Sequence, residues 1–113
     1  MAREPEFKRA LLTEAMNRLL DGDLDTGKAV LRNYINAAMG FEALAAATGT
    51  PSKSLMRMFS PAGNPTARNL VAVIACLQRD LGVILQVRAG TIGQFKTWTE
   101  SLIARPPSPA QRG

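Results

Sequence analysis

Apolar residues recur along this chain at intervals of three and four, in blocks separated by Gly, Pro and Asp, which is the mark of short amphipathic helices. In the first block, Glu6–Leu20, residues Phe7, Leu11, Leu12, Ala15, Met16, Leu19 and Leu20 share one broad stripe and predict a helix that the polar run DGDLDTG ends. Val30, Leu31, Tyr34, Ile35 and Ala38 predict a second helix over Asp25–Met39. Gly40 breaks the chain before a short third helix, Phe41–Thr48. Thr50 is placed to cap the next helix with Pro51 at its first position, where a missing N–H costs nothing, so that helix spans about Pro51–Phe59. SPAGNP reads as a loop, and Asn64 or Thr66 opens a helix whose stripe is Ala67, Leu70, Val71, Ile74, Leu77 and Leu81. Gly82 ends it, and the β-branched run VILQV predicts a short strand, Val83–Arg88. Beyond it, Phe95, Trp98 and Leu102 are spaced to share a face of a last short helix, with Trp98 as a satellite of the core or a partner contact. The closing RPPSPAQRG has the composition of a disordered end.

The chain is 113 residues long, 46% hydrophobic and 20% charged, the balance of one globular domain with a modest core. Its net charge of +5 and pI near 10.2 favour a polyanionic partner, either nucleic acid or an anionic membrane surface. No stretch approaches the ~20 apolar residues of a membrane span, and the N-terminal MAREPEFKR lacks the apolar centre of a signal peptide, so a cytoplasmic location is expected. A single cysteine, Cys76, excludes an intrachain disulfide; set in an apolar helix without a basic neighbour, it is expected to serve in packing. The absence of histidine removes the usual zinc sites and His-based catalysis. With no nucleophile paired to a base and the carboxylates concentrated in the N-terminal half, an enzyme is not expected.

Two segments imitate ligand-binding motifs. Gly22–Lys28 reads G-x-x-x-x-G-K, yet Ala29 stands where a magnesium-binding hydroxyl is required, no strand precedes it, and Asp23 and Asp25 repel phosphate. Asp21, Asp23 and Asp25 keep the first spacings of a calcium loop, but the turn glycine is displaced to Gly27 and Arg32 replaces the bidentate Glu. Both are read as a polar interhelix turn with Asp residues near a helix N-terminus, where their charge is favourable, and no metal or cofactor is expected.

The most informative window runs from Ala43 to Arg79. It carries Lys53, Arg57, Arg68 and Arg79 with no acidic residue. Inside it, FEALAAATGTPSKSLMRMF from Phe41 to Phe59 has the pattern of a helix-turn-helix. Ala45 is small where the second helix crosses, Gly49 sits where a left-handed turn is needed, and Leu44, Leu55 and Met58 fill the wedge between the helices. If Leu55, Met58 and Phe59 point inward, Ser52, Lys53, Met56 and Arg57 face outward and become the base-reading candidates. Arg57 suits a bidentate guanine contact and Met56 a thymine methyl, while Ser52 can bond a base or a phosphate. A plain solvated face is the alternative.

From about Phe7 to Val87 the sequence resembles the HigA-like addiction-module antitoxins, small relatives of the Cro/repressor helix-turn-helix family. The matching stretches are LLDGDLDTGKAVLRNYINA and GFEALAAATGTPSKSLMRMFSPAGNPTARNLVAVI, of which TGTPSKSLMRMFSPAGNPTARNL is the most specific. The resemblance implies an all-α fold: a small bundle of five or so helices with a Cro/repressor-type helix-turn-helix, closed by a short C-terminal β-strand. The implied organisation is an N-terminal helix over 1–22, a DNA-binding domain with its closing strand over 23–88, and an atypical, partly disordered tail over 89–113, whose role the family does not supply. It further implies Thr50, Asn64, Thr66 and Arg68 as phosphate contacts beside the recognition helix. Phe41 and Glu42 depart from the polar residue that repressors often place at the start of the first helix of the pair.

The expected partners are double-stranded DNA carrying an inverted repeat in the protein's own promoter, a RelE-like ribonuclease toxin, and a second copy of the chain. Glu4, Glu6, Glu14, Asp21, Asp23 and Asp25 are candidates to face the toxin, with simple solvation as the alternative. Val83–Val87 and the Val73/Cys76 side of the preceding helix are the candidate dimer surfaces. A stand-alone prophage-type repressor is the second reading, and a module that binds a toxin but has lost DNA binding is the third.

Overall fold

The computed structural model describes residues 3–91, with side chains from Glu6 onward. The described residues form five helices: α1 (Arg3–Leu20), α2 (Leu24–Ala38), α3 (Gly40–Thr48), α4 (Ser52–Met58) and α5 (Ala67–Leu81). The small all-α bundle expected from the periodicity is therefore present. Its core joins Leu12 and Ala15 of α1, Leu31, Tyr34 and Ile35 of α2, Phe41 and Leu44 of α3, Leu55 of α4, Phe59, and Val73, Cys76 and Leu77 of α5. The N-terminal helix thus shares one core with α2–α5.

Local chemistry sets the helix ends. Gly22 turns the chain between α1 and α2 with φ 86°, and the Asp23 carboxylate caps α2 by accepting the Thr26 N–H at 3.2 Å. Hydrogen bonds from Thr26, and secondarily the charge of Arg18, hold the Asp23 carboxyl below the usual carboxylate range. Gly27 is buried where α2 meets α1, because a Cβ there would run into the Leu19 side chain. The G-x-x-x-x-G-K glycines therefore serve a turn and a close helix approach.

Three expectations about packing are corrected. Phe7 and Leu20, placed on the α1 stripe, are 60% and 62% exposed at its two ends, Leu20 on the rim of an open groove between α1, α5 and the chain after α5. On α5 the buried face is Val73, Cys76 and Leu77, while Val71 is 64% exposed. This helix is apolar on more than one side, so its partners rather than its pattern decide which side turns inward. Val73 and Cys76, at 2% and 5% exposure, consequently do not form a dimer surface.

The predicted strand Val83–Arg88 is not formed among the described residues. An extended segment needs a neighbour to share its backbone hydrogen bonds, and the described chain offers no second strand. Alternation nevertheless persists: Val83 and Leu85 are half-buried, Ile84 and Gln86 exposed, and the Leu85 N–H donates to Gln78 Oε1 at 2.7 Å. The expected last helix through Phe95, Trp98 and Leu102 lies outside the described residues, as does most of the 89–113 tail.

Candidate functional site

Helices α3 and α4 are joined by Gly49, Thr50 and Pro51. Gly49 adopts φ 77°, and its N–H closes α3 on the Ala45 carbonyl at 2.8 Å. The Thr48 hydroxyl donates to Leu44 O at 2.8 Å. Thr50 was expected to cap α4, but Pro51 holds that position with φ −58° and ψ 144°, and α4 begins at Ser52 without a side-chain cap. A residue preceding proline is kept out of the helical region, and here the extended conformation continues through the proline itself. Thr50 remains half-buried at the turn, its N–H directed to Thr48 Oγ1 at 3.4 Å.

Leu55 and Phe59 fix the roll of α4, since both are buried and the Phe59 ring packs on Phe41 with centroids 6.4 Å apart and planes tilted by 48°. Met58 is half-buried against the same core. Lys53, Met56 and Arg57, spaced by three and four, are left together on the exposed side. Ser52 is half-buried and its hydroxyl donates to Glu42 Oε2 at 3.1 Å. The acid-free window is thus a property of the linear sequence. In space a carboxylate from α3 stands at the start of α4 and occupies one of the four residues expected to read bases.

The loop after α4 is held from beneath by α2. Lys28 is 2% exposed, and its Nζ donates to Ser60 O at 3.0 Å, Pro61 O at 3.3 Å and Gly63 O at 2.6 Å. One turn along α2, Arg32 donates to Phe59 O at 3.3 Å. An ammonium has three N–H donors, and three carbonyls receive them. Among the described residues no carboxylate lies within 4.0 Å of either cation. Gly63 completes the fit, because a Cβ there would collide with the Arg57 and Met58 carbonyls. The only sequence signal for this arrangement was Lys28 itself, read as part of a failed phosphate-binding motif.

Asn64, Thr66 and Arg68 follow on this loop and the first turn of α5, all exposed. Thr66 caps α5, its Oγ1 accepting the Asn69 N–H at 3.1 Å. Lys53, Arg57 and Arg68 are all exposed to solvent. Of the acids proposed to face a partner, Glu6, Glu14, Asp21, Asp23 and Asp25 are exposed, although Glu14 and Asp21 already meet Arg18 at 3.2 and 3.6 Å. The Glu4 side chain lies outside the described residues. Among the described residues no cluster of His, Cys, Asp or Glu is arranged to hold a metal, and no helix is long and apolar enough to cross a membrane.

No protein-family model, curated protein or solved structure matches this chain.

Proposed function

We propose that the protein is an antitoxin of a type II toxin–antitoxin module. In this reading it neutralises a RelE-like ribonuclease and represses its own operon by binding an inverted repeat as a homodimer. The observation that carries it is the α3–α4 unit: a left-handed Gly49 turn, a wedge of Leu44, Leu55 and Phe59, and an outward set of Lys53, Met56 and Arg57. These features support a Cro/repressor-type helix-turn-helix whose second helix lies in the major groove. Arg57 offers bidentate donors to guanine, Met56 an apolar contact for a thymine methyl, and Arg68 with Asn64 and Thr66 the flanking phosphate contacts.

One short helix reads too few base pairs for specificity, so the working unit is a dimer with half-sites about one helical turn apart. With Val73 and Cys76 in the core, the exposed Ile84 and Val87 on the unpaired Val83–Val87 segment form the remaining candidate interface. The exposed acids of α1 and the following turn are the candidate surface for a basic toxin. A stand-alone repressor rests on the same α3–α4 geometry and differs only in lacking the toxin.

The test measures binding to promoter and scrambled duplexes across a salt series. Arg57→Ala should cost roughly 1–3 kcal/mol per half-site and relax sequence preference. Arg68→Ala should weaken all sequences alike and reduce the salt slope by about one unit. Equal affinity of the parent protein for both duplexes refutes DNA reading. Failure to co-purify with, or protect cells from, the neighbouring gene product refutes the antitoxin role and leaves the repressor.

A further inference from the structure

The carbonyls of Ser60, Pro61 and Gly63 converge on the Lys28 ammonium, and each belongs to a planar peptide unit. Among the described residues no peptide bond is cis. In a trans unit the N–H points opposite to the C=O. A carbonyl drawn inward onto Lys28 therefore sends the amide of the next residue outward. For Pro61 and Gly63 those amides belong to Ala62 and Asn64; after Ser60 comes a proline, which has none. Neither the Ala62 nor the Asn64 N–H has a hydrogen-bond partner among the described residues, and both residues are exposed. The lysine charge, uncompensated by a carboxylate within 4.0 Å, lies behind these donors. The outer side of the loop is thus a short row of amide dipoles, beside Thr66 and Arg68, of the kind that receives an oxyanion.

We infer that Lys28 is a positioning residue for DNA: by holding the Ser60–Asn64 loop with its carbonyls inward, it presents the Ala62 and Asn64 amides to phosphodiester oxygens. This rests on the DNA-reading proposal above. Lys28 itself touches no DNA. It acts through the loop, and base discrimination remains with α4.

The separation of roles makes the test specific. Lys28→Met keeps much of the side chain's length and removes the donors. At a temperature where circular dichroism shows it folded, it should bind promoter and scrambled duplexes more weakly by the same factor, several-fold or more, and keep the parent's promoter preference. Its salt slope should change by less than about one unit, because amide donors carry no net charge and Lys28 itself meets no phosphate. Arg68→Ala should add its own uniform loss in the Lys28→Met background, because that arginine is carried by α5 and not by the loop. Lys28→Gln, which leaves the loop a neutral donor, should show a smaller loss of the same kind and serves if Lys28→Met does not fold.

A folded Lys28→Met, or Lys28→Gln in its place, with parental affinity overturns the inference. So does loss of promoter preference, which would place the effect on α4. A third measurement needs no variant and no DNA: the Lys28 ammonium protons, engaged by three carbonyls, should exchange slowly enough to be seen by nuclear magnetic resonance. Their absence overturns the clamp. A visible ammonium signal in a protein that does not discriminate DNA keeps the clamp and rejects DNA reading.

Discussion

Replacing Tyr34 with Phe should stabilise this protein. Tyr34 is fully buried among the core residues of α2, and its hydroxyl has no hydrogen-bond partner among the described residues. Burying a hydroxyl without a partner costs about 1–3 kcal/mol in proteins. Deleting one oxygen leaves a void smaller than a methyl group, a loss below about 1 kcal/mol. The expected net gain is about 1 kcal/mol, or a Tm rise of roughly 4–8 °C for a domain of this size. The phenol supplies an independent arm. Burial first, and the negative charge of Asp80 second, raise its pKa above the ordinary 10.0. A folded-state pKa above the unfolded one means that stability keeps its full value below pH 10 and falls as pH climbs through the folded value. Parent protein should therefore lose stability at alkaline pH by a route that Tyr34→Phe lacks. Thermal melts of both proteins along a pH series decide it, and because Tyr34 is the sole tyrosine, phenolate absorbance reports this one group. A variant less stable than the parent at neutral pH refutes the reasoning, as does an alkaline loss common to both.

Two further substitutions test how the bundle positions α4 and α5. Gly49→Ala meets no atom within 4 Å, so its cost is purely that of forcing a Cβ into φ +77°, about 1–2 kcal/mol in urea unfolding; an unchanged midpoint would show that the turn relaxes without penalty. Thr66→Ala deletes the cap on the Asn69 N–H and should cost about 1 kcal/mol, with Thr66→Ser restoring most of it in the same assay.

The helices were legible because their ends carry local chemistry: Gly49 and Gly82 stop α3 and α5 in left-handed conformations, and Thr66 caps α5 as its sequence position suggests. The direction in which α5 faces was legible only in part: Leu70, Leu77 and Leu81 of the expected stripe meet the core, whereas Val71 does not and Val73 and Cys76 do. Its sequence is apolar around much of its circumference, so Val71 and Val73 are alike in pattern and opposite in burial. On α4 the tertiary requirement was plain, since Leu55 and Phe59 must be inside, and the exposure of Lys53, Met56 and Arg57 follows. What remained hidden involves groups that sequence does not label. Backbone carbonyls occur at every position, so nothing announced that those of Ser60, Pro61 and Gly63 would receive a lysine more than thirty residues earlier. The Ser52–Glu42 hydrogen bond was missed because a window drawn along the chain excludes a carboxylate that the turn brings back in space.

The reach of α2 under the loop also bounds how this domain can be recombined. A hybrid that transplants only α3, α4 and the following loop onto another helical scaffold leaves three carbonyls facing whatever lies beneath them. Ser60 O keeps the Gly63 N–H, but the Pro61 and Gly63 carbonyls lose their donor, at about 1–3 kcal/mol each where the new scaffold covers them, a large share of a small domain's stability. The smallest portable unit consequently begins upstream of Lys28. On the DNA-reading proposal, a designer wishing to exchange target preference is better served by changing exposed positions of α4 in place than by moving the segment, since Lys53, Met56 and Arg57 are exposed and none is among the core residues that hold the bundle together.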